Sequence, residues 1–225
     1  MESLNNEVKN IYSYTSLDRV IWDTESILAI ENEIDRLNCN KVFIVSSSTL
    51  SRKTSEILKI KKGLGDKFVG LFDNCLEHSP LDNIIQCANE VQSKDPDIIV
   101  TIGGGTPIDT VKVVQLCHSL KINSVEGLRR ITNKAQTKVS KLRQIAIPTT
   151  LSGGEYSNIG GGMDTTKQLK ERYLGVDTCP QVVILDPEIT LHTPDWLWFS
   201  TAIRSVDHAV EGFCSSSTNP LISPM

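Results

Sequence analysis

The 225-residue sequence has no C-x-x-C pair, no long apolar run and no excess of basic charge. Its six cysteines, at positions 39, 75, 87, 117, 179 and 214, are scattered. A zinc site or a disulfide frame needs tighter or more regular spacing, so reduced and mostly buried thiols are expected. No apolar stretch approaches the roughly 20 residues that span a bilayer. A formal net charge of −4 argues against nucleic acid as a partner and offers no polybasic surface for a membrane. Residues 1–10 carry Glu2 and Glu7 and show neither an apolar nor an Arg-rich amphipathic pattern, so a cytoplasmic location is expected. The two commonest nucleotide signatures are missing as well: no G-x-G-x-x-G occurs, and no Gly-Lys-Ser/Thr follows a glycine-rich loop.

What is present instead runs from Asp97 to Lys112. Ile98 to Ile102 is apolar and β-branched without alternation, which predicts a strand buried on both faces. Gly103, Gly104 and Gly105 follow. Thr106 is then expected as N-cap and Pro107 as first helical residue, with Asp109 as a capping-box acid. A strand, a glycine turn and a helix N-terminus leave bare N–H groups at a positive dipole end, which suits a phosphate. A tight turn alone would have needed one glycine.

Around this stretch the sequence alternates. Strands are predicted at Arg19–Trp22, Lys41–Val45, Phe68–Phe72, Gln144–Ile147 and Gln181–Leu185. Helices between them bury Ile27 to Leu37, Ile57 and Leu58, and Ile84 to Val91. Such alternation implies an α/β fold: a parallel, doubly wound, Rossmann-like sheet with ligands at the carboxyl ends of its strands. Residues 121–143 read as a looser, solvated segment with Arg129, Arg130, Lys134, Lys138, Lys141 and Arg143, and no site is assigned there. Pro148-Thr149-Thr150 places hydroxyls at a strand end. Leu151 to Glu155, including Ser152, and Gly160 to Gly162 are expected to bring flexible backbone close to a ligand.

After Asp186-Pro187 the character changes. Trp196, Phe199, Ile203, Val206, Val210 and Phe213 recur at intervals of three and four, which predicts one long amphipathic helix. Arg204, His208 and Glu211 share its other side. The organisation expected is an α/β dinucleotide-binding region over 1–190, then the first helix of an all-helical region over 191–225.

The glycine stretch, with Pro148-Thr149-Thr150, Asp186-Pro187 and His208-Ala209-Val210-Glu211, resembles the iron-containing alcohol dehydrogenase superfamily. That group includes maleylacetate reductases and glycerol dehydrogenases, and shares its architecture with dehydroquinate synthase. Gly103-Gly104-Gly105-Thr106-x-x-Asp109 is similar to its Gly-Gly-Gly-Ser-x-x-Asp element. The loop with His78 and Pro80 looks more like that of the maleylacetate reductases. The resemblance implies hydride transfer between NAD or NADP and a small alcohol or carbonyl substrate, an acidic one included. It would place the pyrophosphate on Gly104, Gly105 and Thr106, and Asp109, Thr149 and Thr150 nearer the nicotinamide. No membrane and no nucleic acid is implied, and a homo-oligomer is compatible.

Three departures shape these expectations. Ser47 stands after the second strand, where relatives often carry a ribose-binding acid, and Arg52 and Lys53 are near; a serine would not repel a 2′-phosphate, so NADP should bind at least as well as NAD. The superfamily's metal helix has Asp and His at i, i+4; His208 matches the histidine, but Arg204 holds the Asp position and cannot ligate iron or zinc. Arg204 and His208 would then serve the substrate oxygen, His208 as proton donor. Finally, the superfamily continues into a helical region with further histidines, of which this sequence reaches only the first helix. Its alternatives are therefore a metal-dependent alcohol dehydrogenase, a truncated nucleotide-binding fragment without catalysis, and a dehydroquinate-synthase-like lyase.

Overall fold

A computed structural model describes residues 15–215. The N-terminal stretch 1–10 and the end of the helical region, 216–225, lie outside the described residues. Six strands form one parallel sheet: β1 (Arg19–Trp22), β2 (Val42–Ser46), β3 (Phe68–Phe72), β4 (Ile98–Gly103), β6 (Arg143–Pro148) and β9 (Val182–Leu185), in the order β1-β9-β6-β4-β2-β3. The predicted strands are all there, and each of them lies within a residue of its expected bounds.

Side chains alternate across the pleat, so each strand feeds two cores. Ile44, Val100, Ile102, Ile145 and Ile184 pack with Ile30 and Ile34 of α1 (Ser26–Arg36) and Ile57 and Ile60 of α3 (Glu56–Leu64). On the other face Phe43, Val45 and Ile99 pack with Ile84 and Val91 of α4 (Leu81–Lys94) and Val111 and Val114 of α5 (Gly105–Leu120). The short α2 (Ser48–Lys53) follows β2 and joins the first face through Leu50. Neighbouring strands β2 and β4 thus send their following helices to opposite faces. Their carboxyl ends therefore diverge, and Ser47 and Gly103 sit at that opening, the switch point where such sheets hold ligands.

Residues 121–143 are more ordered than the charge run suggested. They form α6 (Val125–Ile131), capped by Ser124, and the short strand β5 (Ala135–Gln136). A second sheet, β5-β8-β7, contains the hairpin of β7 (Ile159–Asp164) and β8 (Leu169–Gly175). Gly160 to Gly162, expected as flexible backbone, are buried strand residues packed on α5. A Cβ on Gly160 would lie 3.0 Å from Val113 Cγ2 and 3.1 Å from Lys112 Cβ, so the glycines are there for close packing of strand on helix.

Arg129, expected as a solvated charge, holds that hairpin to α6. Asp164 is buried and accepts from Arg129 Nε at 2.7 Å, from Arg129 Nη2 at 3.0 Å, and from the backbone N–H groups of Thr166 and Lys167. The bidentate Arg129 contact holds the Asp164 carboxyl well below the usual carboxylate range. A depressed native pKa contributes stability that is present above the unfolded-state value and is lost as pH falls through the native one. Asp164→Asn should therefore unfold at lower temperature than wild type at pH 7, and the gap should shrink as pH drops below about 4. Thermal melts of both proteins between pH 2 and 7 check this; a gap independent of pH would contradict it. Arg143, the last of the run, lies in β6, where Nη2 donates to Ser16 O at 3.0 Å and Cys179 O at 3.2 Å.

The long helix α8 (Asp195–Cys214) forms as predicted but buries none of its residues among those described. Asp186 accepts from Ser26 N and Oγ and from Glu188 N, which ties α1 to the end of β9 and caps the short α7 (Pro187–Thr190). Among the described residues no helix is long and apolar enough to cross a membrane.

Candidate cofactor site

The glycine turn departs from expectation in its capping. Helix α5 begins at Gly105 with Gly104 as N-cap, so Thr106 and Pro107 are already inside the first turn. Gly103 is the reason: at φ +149° it turns the chain one residue earlier than a Thr106 cap would. Proline costs nothing there, because the first N–H groups of a helix have no intrahelical acceptor. Asp109 is correspondingly too deep in the helix to be a capping-box acid. No side chain caps this helix N-terminus, so its N–H groups remain turned toward the opening.

Several predicted residues converge on that turn. A Cβ on Gly104 would lie 3.0 Å from Thr150 Cγ2 and 3.2 Å from Thr150 Oγ1, and one on Gly105 would lie 3.2 Å from Ser152 Oγ. Thr149 N donates to Gly103 O at 3.0 Å, which pins the end of β6 to the turn. Ser47 N donates to Ile102 O at 3.3 Å, and Ser47 Oγ caps α2 by accepting from Leu50 N. Ser47 is thus a built part of the opening's rim. Arg52 and Ser51 both bond Asp73 at the end of β3, so the guanidinium near Ser47 already has a carboxylate neighbour. His78 and Ser79 take positive φ, and buried Ser79 donates to Thr106 O and accepts from Thr110 Oγ1, which fixes this loop to the start of α5.

Beneath the turn lies a charged cluster that the sequence pattern does not announce. Lys112, 1 % exposed, donates to Gly154 O at 2.5 Å and Ile159 O at 3.0 Å, and lies 3.4 Å from Asp109 Oδ1. Burial raises the Asp109 carboxyl, and the Lys112 and Lys170 ammonium groups oppose that rise. Glu155, also buried, is raised for the same reason. Lys170 reaches in from β8: a Cβ on Gly161 would lie 2.7 Å from Lys170 Cε and 3.2 Å from Asp109 Oδ2. An exposed ammonium and a half-buried carboxylate therefore flank the helix face below the glycines.

The residues present fit a dinucleotide. Thr150 Oγ1, Ser152 Oγ and Glu155 Oε2 are buried and have no hydrogen-bond partner among the described residues. Orphaned polar atoms of this kind are costly unless a ligand or water completes them. They border a cradle that glycine side chains leave open. A hollow of about 460 Å³ continues from it, lined by Thr150, Leu151, Glu155, Tyr156, Trp198 and Ser205 among others. A second hollow, of about 500 Å³, lies at the amino ends of the strands beside Asp97, His118 and Arg143, away from the glycine turn and these orphaned atoms.

Helix α8 sits over the first hollow. Leu151 N donates to Thr201 Oγ1 at 3.2 Å, and Ser205 Oγ donates to Leu151 O at 2.7 Å. Thr193 Oγ1 donates to Thr149 O at 2.7 Å. Arg204 is half exposed, ion-paired with Asp207 and 3.8 Å from Glu211 Oε2. His208 is exposed, three residues beyond Ser205. No group of three or more His, Cys, Asp or Glu that could hold a metal forms among the described residues. The donors around His208 do not fit iron or zinc: the i−4 position is a guanidinium already paired with a carboxylate.

A six-stranded parallel sheet wound on both faces, with a glycine turn at its switch point, is the Rossmann-like class of α/β protein. More particularly, the chain belongs to the iron-containing alcohol dehydrogenase family, whose family model matches residues 18–187. It is 32 % identical over 177 residues to a dehydrogenase of Alternaria alternata, covering 76 % of this chain and 46 % of that one. To maleylacetate reductase 1 of Cupriavidus pinatubonensis it is 27 % identical over 207 residues, 92 % of this chain and 51 % of the other. The crystal structure of sulfoacetaldehyde reductase from Bifidobacterium kashiwanohense in complex with NAD+ shares the fold: TM-score 0.82, 18 % identity, 94 % of this chain and 56 % of that one. The chain thus spans about half the length of the relatives it matches.

Proposed function

We propose that this chain provides the NAD(P)-binding part of an oxidoreductase that transfers hydride between the nicotinamide and a small alcohol or carbonyl compound. The observation that carries this reading is the glycine turn closed against Thr150 and Ser152, whose buried hydroxyls lack partners among the described residues. The bare N–H groups at the start of α5 would hold the pyrophosphate over Gly104, Gly105 and Thr106. Thr149, Thr150 and Ser152 would border it from β6, and Asp109, steadied by Lys112 and Lys170, would orient the nicotinamide end. When bound, the cofactor supplies hydride chemistry; the protein supplies orientation, dryness and charge.

On the substrate side the proposal gives His208 the proton donor's part and Arg204 that of a positive charge toward the substrate oxygen. The anchoring of α8 at Leu151 supports it, because Thr201 and Ser205 fix that helix beside Thr150. The names of two relatives, maleylacetate reductase and sulfoacetaldehyde reductase, suit an acidic carbonyl substrate.

Ser47 is the basis of a cofactor preference. With no carboxylate at that position, the ribose pocket carries no charge against a 2′-phosphate, and Arg52 stands on the same short helix. Fluorescence titrations with NADPH and NADH should give an affinity for NADPH equal to or better than that for NADH. A strong NADH preference would count against this role of Ser47, and failure of both to bind would count against the cofactor reading itself.

A further inference from the structure

The apolar stripe of α8 points away from the rest of the fold. Thr201 and Ser205 hold one side of the helix to Leu151, and Trp198 lines the hollow beneath. At 100° per residue the stripe lies on the opposite side. Trp196, Phe199, Ile203, Val206, Val210 and Phe213 are each 55–70 % exposed there.

Their spacing, 3-4-3-4-3, is that of a coiled-coil seam with Trp196, Ile203 and Val210 at a and Phe199, Val206 and Phe213 at d. It is also symmetric about its midpoint, between Arg204 and Ser205. Turned end for end, the seam meets itself: Trp196 falls level with Phe213, Phe199 with Val210, and Ile203 with Val206. Every layer then joins an a residue to a d residue, and each large side chain at an end faces an aromatic or a smaller partner. The flanks suit close approach. Ala202 and Ala209 line one side; on the other, Asp207 is neutralised by Arg204 of its own helix.

We infer that α8 pairs antiparallel with α8 of a second copy of this chain, about a two-fold axis at Arg204–Ser205. The six side chains carry on the order of 700 Å² of exposed surface, allowing about 150–250 Å² for each whole aromatic. Two copies would bury roughly 1,400 Å², within the range of about 1,200–2,000 Å² for stable specific interfaces. An isologous contact of this kind closes on itself and leaves no stripe free for further growth.

Cys214 makes the geometry measurable, since it is exposed and at the end of the helix, whereas the burial-raised thiol of Cys75 is a poor target for labelling. Sedimentation equilibrium of the 225-residue chain at micromolar concentration should show a dimer. Spin labels on Cys214 should then report a pair distance of about 30 Å, because each lies nearly ten residues from the axis at 1.5 Å per residue. Ile203→Glu should weaken the dimer more than 100-fold and leave the melting temperature of the monomer and the helical circular dichroism unchanged. A monomeric wild type, a Cys214 pair distance near 15 Å as a parallel pair would give, or an Ile203→Glu variant still dimeric would each overturn the inference.

Discussion

Replacing Lys112 with methionine is expected to destabilise the chain by about 3–5 kcal/mol, the cost of removing one partner from a buried charge cluster. The side chain is 1 % exposed and its ammonium serves two carbonyls and a carboxylate from three different segments. Methionine fills a similar volume, so the loss would come from Gly154 O, Ile159 O and Asp109 rather than from a cavity. The effect should depend on pH. Lys112 opposes the burial that raises Asp109 and Glu155. Without it both carboxyls should stay protonated to higher pH in the folded state. A native pKa raised above the unfolded one means stability present at low pH and lost as pH rises through the raised value. The variant's deficit should therefore be larger at pH 8 than at pH 5. Urea unfolding at the two pH values measures it, and a deficit below about 1 kcal/mol at both would show that the cluster contributes little.

The second large effect is on binding alone. Gly104 lies in extended backbone at φ −79°, where any residue is tolerated, so its lack of a side chain is not required by the fold. It is required by the space between the turn and Thr150. Gly104→Val would fill that space with a branched side chain, against the 3.0 Å that even a single Cβ leaves. Affinity for NADPH and NADH is expected to fall roughly 100-fold or more, about 3 kcal/mol, with secondary structure retained. Gly103 would be the wrong residue for this experiment. Its positive φ and the 2.7 Å that would separate an added Cβ from Pro107 Cγ would confound binding with misfolding.

Much of the fold was legible because strands buried on both faces and helices with one apolar face have distinct periods. Ile98 to Ile102 and Val182 to Leu185 read as central strands from composition alone, and the alternation with helices fixed the parallel sheet. Two things were hidden. The hairpin β7–β8 was missed because Gly160 to Gly162 have no side chains to show a two-residue period, and glycine runs read as loop. Its glycines are there for contact with α5, which only the packed structure reveals. Likewise Arg129 in a run of cations gives no sign that a buried Asp164, 35 residues on, is its partner.

The site divides in the same way. Gly103 to Gly105, Asp109, Thr149, Thr150 and Ser152 were visible as a glycine turn and as hydroxyls at a strand end, and the structure gathers them at the switch point. Lys112 was not, since α5 is buried almost all round and a lysine within it has no amphipathic pattern to mark it. A signal did exist: a lysine three residues after Asp109 inside an otherwise apolar helix. Lys170 depends on how β8 folds over Gly161 and could not be found from spacing. Arg204 reads from its helix position both as an active-site cation and as half of an ion pair. The structure shows it paired with Asp207, which any role at the substrate oxygen must first release.

The seat of the cofactor is tested most directly by titrating NADPH into the wild-type chain and into Gly104→Val, following nucleotide fluorescence at constant helical circular dichroism. Saturable binding by the wild type that the folded variant has lost is the expected result. A wild type that binds no dinucleotide, or a variant that binds as tightly as wild type, would contradict the placement of the pyrophosphate on Gly104 and Gly105.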